Sequence, residues 1–139
     1  MAWYLISDAT LITNIRGYRN APVYIHGSQH VPPSSGAVVD CMEALVELLK
    51  AERDAGVRAV LGHFIFVFIH PYMDGNGRIG RFLMNTMLAS GGFPWTVIRL
   101  EQRTQYMSAL EEAYVRGNIR PFAEFIKGEM DLALRAHAD

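Results

Sequence analysis

The sequence predicts a compact all-α fold built round one buried central helix, with a single small β-hairpin. Three observations carry this. Val38, Met42, Leu45 and Leu49, and later Ile79, Phe82, Leu83 and Met87, recur at helical spacing. Val57 to Ile69, between them, is apolar on every side, the pattern of a helix enclosed by its neighbours. Only Ala21 to Pro33 has β-prone character, and prolines bound it.

Taken in order, a short helix is expected somewhere in the opening twenty residues. In "APVYIHGSQHVPP", positions 21–33, the pieces "VYI" and "QHV" flank His26, Gly27 and Ser28 and read as a hairpin closed off by Pro22, Pro32 and Pro33. Ser34 or Ser35 is placed to cap the next helix, and Gly56 to end it. Pro71 disfavours helical geometry at the residue before it, so His70 is expected where the central helix stops. Helices then follow over Arg78 to Ser90, closed by Gly91 and Gly92, over Glu101 to Arg116, and over Pro121 to Ala136 with the proline in the first helical position. No repeat or linker interrupts residues 1–139, which read as one domain.

The bulk numbers exclude several classes. A formal net charge of −1 gives no basic surplus, so no nucleic-acid partner is expected. The longest apolar run, Val57 to Ile69, falls short of the roughly 20 residues that a bilayer crossing needs, so no membrane partner is expected either. Cys41 is the only cysteine and the first residues lack the pattern of a signal peptide; a cytoplasmic location is the natural expectation.

The chemistry is concentrated in "HPYMDGNGRIGR", positions 70–81. Gly75 and Gly77 can turn successive N–H groups inward at the start of a helix, where the helix dipole also favours an anion. Arg78 and Arg81, three apart on one helical face, offer two guanidinium forks to one polyanion. Asp74 would repel phosphate unless a cation lay between them, as Mg²⁺ does. His70 has an imidazole suited to act as a general base. Together these groups predict transfer chemistry at a Mg²⁺-bound nucleotide phosphate, with His70 taking a proton from an attacking hydroxyl.

Other readings of the same letters fare worse. Taken singly, each group has a structural explanation: a tight turn, a helix cap, a solvated face. "GNGRIG" fits the dinucleotide pattern G-x-G-x-x-G, but "HPYMD" separates it from the preceding run, which is too long for a strand. A metal site using His63, His70 and Asp74 fails because seven helical residues put the two histidines roughly 10 Å apart along the axis. His63 therefore reads as a core or support residue, and His26 and His30 as exposed groups on the hairpin.

The stretch resembles the signature of Fic domains, H-P-F-x-D/E-G-N-G-R-x-x-R, with Tyr72 in place of the commoner phenylalanine. The segment from Tyr18 to Pro33 resembles that family's flap and its flanks, "RFLMNTMLASGGFPW" the helix after the motif, and "IRPFAEFI" a recurring C-terminal element. The resemblance implies a mainly helical fold and AMPylation: transfer of AMP from ATP to a Ser, Thr or Tyr hydroxyl of a target protein. By position it implies that His70 is the base, that Asp74 binds Mg²⁺, and that Gly75, Asn76 and Gly77 form an anion hole. It makes Arg78 and Arg81 the clamp on the outer phosphates, and Val23, Tyr24 and Ile25 the flap that docks the target by strand addition. Family members often carry an inhibitory helix with S/T-x-x-x-E-G/N. Ser108 and Glu112 have the spacing, but Ala113 follows them, so restraint would come from an N-terminal segment or a separate partner, or be absent. Other phosphate transfer, removal of AMP, or a catalytically silent interaction module stand as alternatives.

Overall fold

The protein, in a computed structural model, is described over residues 17–138; the short helix expected near the start falls on residues 1–16, outside the described residues. Among the described residues five α-helices follow one another: α1 Val38–Ala51, α2 Ala55–Ile69, α3 Asn76–Ser90, α4 Arg103–Arg116 and α5 Arg120–Ala138. Short 3₁₀ turns, Ser35–Ala37 and Leu100–Gln102, lead into α1 and α4. The all-helical expectation holds, and no helix among the described residues is long and apolar enough to cross a membrane.

The predicted hairpin is not there. No strand occurs among the described residues of 21–33; the chain makes one turn, closed by Ser28 N–H donating to the Ile25 carbonyl at 3.1 Å, with Gly27 at φ 76°. The polar groups on its far side go to helices instead of to a partner strand. Ser28 Oγ–H and Gln29 N–H both donate to the Glu111 carboxylate on α4, at 2.5 and 2.8 Å. The His30 ring stacks between Phe68 and Tyr114, with Nε2 2.9 Å from the Phe68 carbonyl oxygen, so His30 is half-buried and not the exposed group expected. Of the two histidines in this segment only His26 is exposed.

Helix ends also differ in detail. Neither serine caps α1 through its side chain; α1 stops at Ala51, and Asp54 caps α2 by accepting from Val57 N–H at 2.9 Å, which leaves Gly56 inside α2. α3 begins at Asn76, two residues earlier than expected, and α5 at Arg120, so Pro121 is second in its first turn, where no helical bond is lost.

The core is shared. One stripe of α1, with Val38, Met42, Leu45 and Leu49, meets α2. The opposite side of α2 packs along α3 through Met84, Met87 and Leu88, while Tyr106 and Leu110 of α4 and Phe122 and Ile126 of α5 close the remaining side. From Arg58 to Ile69 no residue of α2 is exposed, as a run without a polar face requires. The loop after α3 is held by Asn85, whose side chain accepts from Thr96 N–H at 2.7 Å and donates to the Thr96 carbonyl at 2.9 Å. Arg99 pairs with the buried Glu129 through both carboxylate oxygens at 3.1 Å.

His63 is a polar residue inside α2 with none of its surface exposed. Burial pushes its pKa down to about 4. The sign follows from linkage: between about 4 and the ordinary value near 6.5, the unfolded chain binds a proton that the folded chain refuses. Stability contributed by neutral His63 is therefore full above about pH 6.5 and is lost as the pH falls toward 4. Denaturant unfolding at pH 7 and pH 4.5 should show this contribution as about 2 kcal/mol. A profile flat between pH 6.5 and 5 would contradict it.

Candidate active site

The site begins where α2 ends. Pro71 cannot continue the helix, and His70, its last-turn neighbour, takes left-handed angles of φ 53° and ψ 60°, the only positive φ outside glycine among the described residues. For a residue with a side chain this conformation is strained and persists only where its surroundings enforce it. The enforcing group is Arg19. Its guanidinium donates to the carbonyls of His70 (2.7 Å), Ile69 (3.2 Å), Ala21 (3.2 Å) and Pro33, and its own N–H donates to the Pro71 carbonyl at 2.8 Å. A positive charge thus sits at the negative end of the α2 dipole and fixes the backbone on both sides of the histidine.

The His70 side chain is half-buried, and its Nδ1 lies 3.1 Å from the Val67 carbonyl oxygen. A carbonyl only accepts, so Nδ1 carries the hydrogen and Nε2 is the basic nitrogen. Burial lowers the pKa from its ordinary value, with the neighbouring Arg19 charge acting in the same direction. The imidazole is consequently neutral near pH 7, the form a general base requires.

The loop to α3 is shaped by its own side chains. Asn76, 2 % exposed, closes it by accepting from Tyr72 N–H at 2.9 Å and donating to the Tyr72 carbonyl at 2.8 Å. Its amide is therefore spent on the loop backbone. Gly75 caps the helix at φ 81°, a conformation open to glycine. The first helical bond runs from Ile79 N–H to the Gly75 carbonyl, leaving the N–H groups of Asn76, Gly77 and Arg78 without a helical acceptor. Such an end favours an anion.

His70, Gly77 and Arg81 line one cleft of about 630 Å³, together with Ile25 from the turn and Tyr106 from α4. Arg81 is half-buried there, with one guanidinium nitrogen packed over Gly77, where a Cβ would come within 3.2 Å of it. Asp74, Gly75, Asn76 and Arg78 are not on the cleft wall; Asp74 and Arg78 are exposed on the same loop and first turn. In the segment read as the flap, Ile25 reaches the cleft, Val23 is half-buried and Tyr24 is 76 % exposed. Glu112 lies on the wall, with its carboxylate 3.6 Å from Arg116 Nε one turn on. No group of three or more His, Cys, Asp or Glu side chains suited to a metal occurs among the described residues.

Two site residues escaped sequence reasoning. Arg19 carried no signal, since its partners are carbonyls brought together only by folding. Glu111 was hidden among the charges of an amphipathic helix. Replacing it with alanine should free the turn it holds: hydrogen exchange at the Gln29 amide should rise about tenfold, while global stability changes by less than about 1 kcal/mol. Unchanged protection at that amide would show that the carboxylate does not hold the turn.

Fold and cleft together define a class: the chain belongs to the Fic/DOC family, whose model matches residues 4–88. Two relatives, each named "Protein adenylyltransferase Fic", come from Drosophila grimshawi and Drosophila melanogaster. They are 39% and 38% identical over 130 residues, covering 88% of this chain and 26% of theirs. The chain thus spans about a quarter of the length of the curated relatives it matches. Among solved structures, Fic-1 (aa134 - 508) from C. elegans superposes with a TM-score of 0.81 at 22% identity, over 99% of this chain and 48% of that one. A Fic family protein from Desulfovibrio desulfuricans G20 gives 0.79 at 25% identity, over 99% and 50%.

Proposed function

We propose that this chain acts as a single protein adenylyltransferase domain, moving AMP from ATP to a Ser, Thr or Tyr hydroxyl of a target protein. In the proposed step the hydroxyl oxygen attacks the α-phosphorus, its proton passes to His70 Nε2, and the bond to the bridging oxygen breaks, releasing pyrophosphate. The N–H groups of Gly77 and its neighbours face the inner phosphates, and Arg81, with Arg78 at the rim, takes the outer ones. Asp74 would hold Mg²⁺, which would supply neutralising charge at the nucleotide phosphates; as the loop's one carboxylate, Asp74 suits it only with the nucleotide supplying further oxygens. The target hydroxyl enters beside the turn at Ile25, where Val23 and Tyr24 offer main-chain pairing to an extended segment.

The observation that best supports this reading is the coincidence on one cleft of a neutral imidazole with an identified basic nitrogen, a helix N-terminus and a guanidinium. The name of the Drosophila relatives agrees with it. The test is incubation with ATP labelled at the α- or the γ-phosphate, Mg²⁺ and cell extract, against His70→Ala. Protein label from the α-position, lost in the variant, is the expected result. Label from the γ-position would make the chain a kinase, and ATP binding without transfer from either position would favour a silent interaction module.

A further inference from the structure

Behind the cleft wall lies a hydrogen-bonded pair for which the proposed reaction gives no use. His63 on α2 is fully buried, and its Nε2 is 2.5 Å from the Tyr106 hydroxyl on α4. Tyr106 is 4 % exposed, yet it lines the same cleft as Arg81, whose charge bears on its hydroxyl. The histidine ring is itself firmly seated. Phe122 stacks on one face at 5.6 Å, and the ring lies against Gly80, where a Cβ would come within 3.2 Å of Nδ1 and 3.0 Å of Val67 Cγ1. Gly80 is the residue before Arg81 in the chain, so the close approach of α2 and α3 seats the imidazole against the backbone one residue before the arginine.

We infer that His63 and Tyr106 are positioning residues, which fix the Arg81 guanidinium in the direction needed to take the outer phosphates of a nucleoside triphosphate. The inference rests on the reading of Arg81 proposed above. Donor and acceptor roles make the chain directional. Arginine only donates, so in the inferred contact the Tyr106 oxygen accepts from it, and the hydroxyl proton goes to His63 Nε2. Each group must then keep one protonation state, phenol protonated and imidazole neutral. Burial holds both, raising the Tyr106 pKa to about 12 and lowering that of His63 to about 4. A long, flexible arginine loses rotamer freedom on gripping a ligand; an arginine already tied at its tip has lost it beforehand.

The test is a double-mutant cycle with Tyr106→Phe, which keeps the ring and removes the hydroxyl, and Arg81→Ala. ATP with Mg²⁺, and separately AMP, are titrated by calorimetry into the full chain and each variant, with thermal unfolding recorded alongside. Tyr106→Phe should weaken ATP binding about tenfold and AMP binding less than about twofold, with the loss absent once Arg81 is alanine. An equal loss for both nucleotides, no loss for ATP, or a loss that persists in the Arg81→Ala background would overturn the inference. If Arg81→Ala itself leaves ATP binding unchanged, the reading of the clamp fails as well, a result distinct from failure of the positioning pair alone. A readout that needs no variant is the nitrogen resonance pattern of the Arg81 guanidinium in the wild-type chain. Separate, slowly exchanging Nη signals are expected, and a single averaged signal would count against the inference whether or not the variants fold.

Discussion

His70→Ala should lower adenylyl transfer about a thousandfold while ATP affinity stays within about twofold. The split follows from the proposed roles: the imidazole would meet the incoming hydroxyl, whereas Gly77 and Arg81, the proposed phosphate-facing groups on the same cleft, stay in place. The pH dependence gives a second check. Transfer needs neutral His70, and burial lowers its pKa from the ordinary value, so the acid limb of kcat/KM should lie below the imidazole midpoint of about 6.5. Rate should rise with pH through that limb and be flat at pH 7. Steady-state rates between pH 5 and 8 measure it. A midpoint at or above 7, or a variant that loses ATP binding in proportion to rate, would remove His70 from the role of base.

What could be read from the sequence was whatever depends on neighbours along the chain. Helical periodicity follows from spacing within one element, and the placement of His70 follows from the proline beside it. Both appear as expected in the structure. The missing hairpin shows where this stops. "VYI" and "QHV" are β-prone, but strands need a ladder, and the polar groups that would have built one are claimed by Glu111, 82 and 83 residues away, and by the Phe68 carbonyl. Local propensity lost to tertiary hydrogen bonds. Asn76 makes a similar point: its type and its place between two glycines suit an anion hole, while its geometry shows an amide that braces the loop.

The cleft is therefore assembled from two kinds of part. Gly77, Arg81 and the first turn of α3 come from one continuous stretch, and their relative positions are set by helix geometry. His70 belongs to a different helix, and its alignment with that turn depends on a strained residue staying strained. Such a conformation relaxes unless something outside the motif opposes it. The His70 geometry, and with it the proposed activity, is thus coupled to a residue 51 positions earlier.

That coupling predicts the largest stability effect in the protein. Arg19→Met should cost about 4 kcal/mol of unfolding free energy, because a guanidinium only 3 % exposed leaves carbonyls of Ile69, His70, Ala21 and Pro33 without their donor. Arg19→Lys should recover less than half of it, since an ammonium supplies the charge at the end of α2 but not the planar fork that reaches carbonyls on separate segments. Denaturant midpoints at an unchanged m-value would report the loss. Below the unfolding transition, both variants should also transfer more slowly, as His70 escapes its left-handed backbone and Nε2 loses its aim. A loss under about 1 kcal/mol in the methionine variant would mean that Arg19 does not hold the end of the helix, and a lysine variant equal to wild type in both stability and rate would mean that the cation's charge alone, and not its geometry, does so.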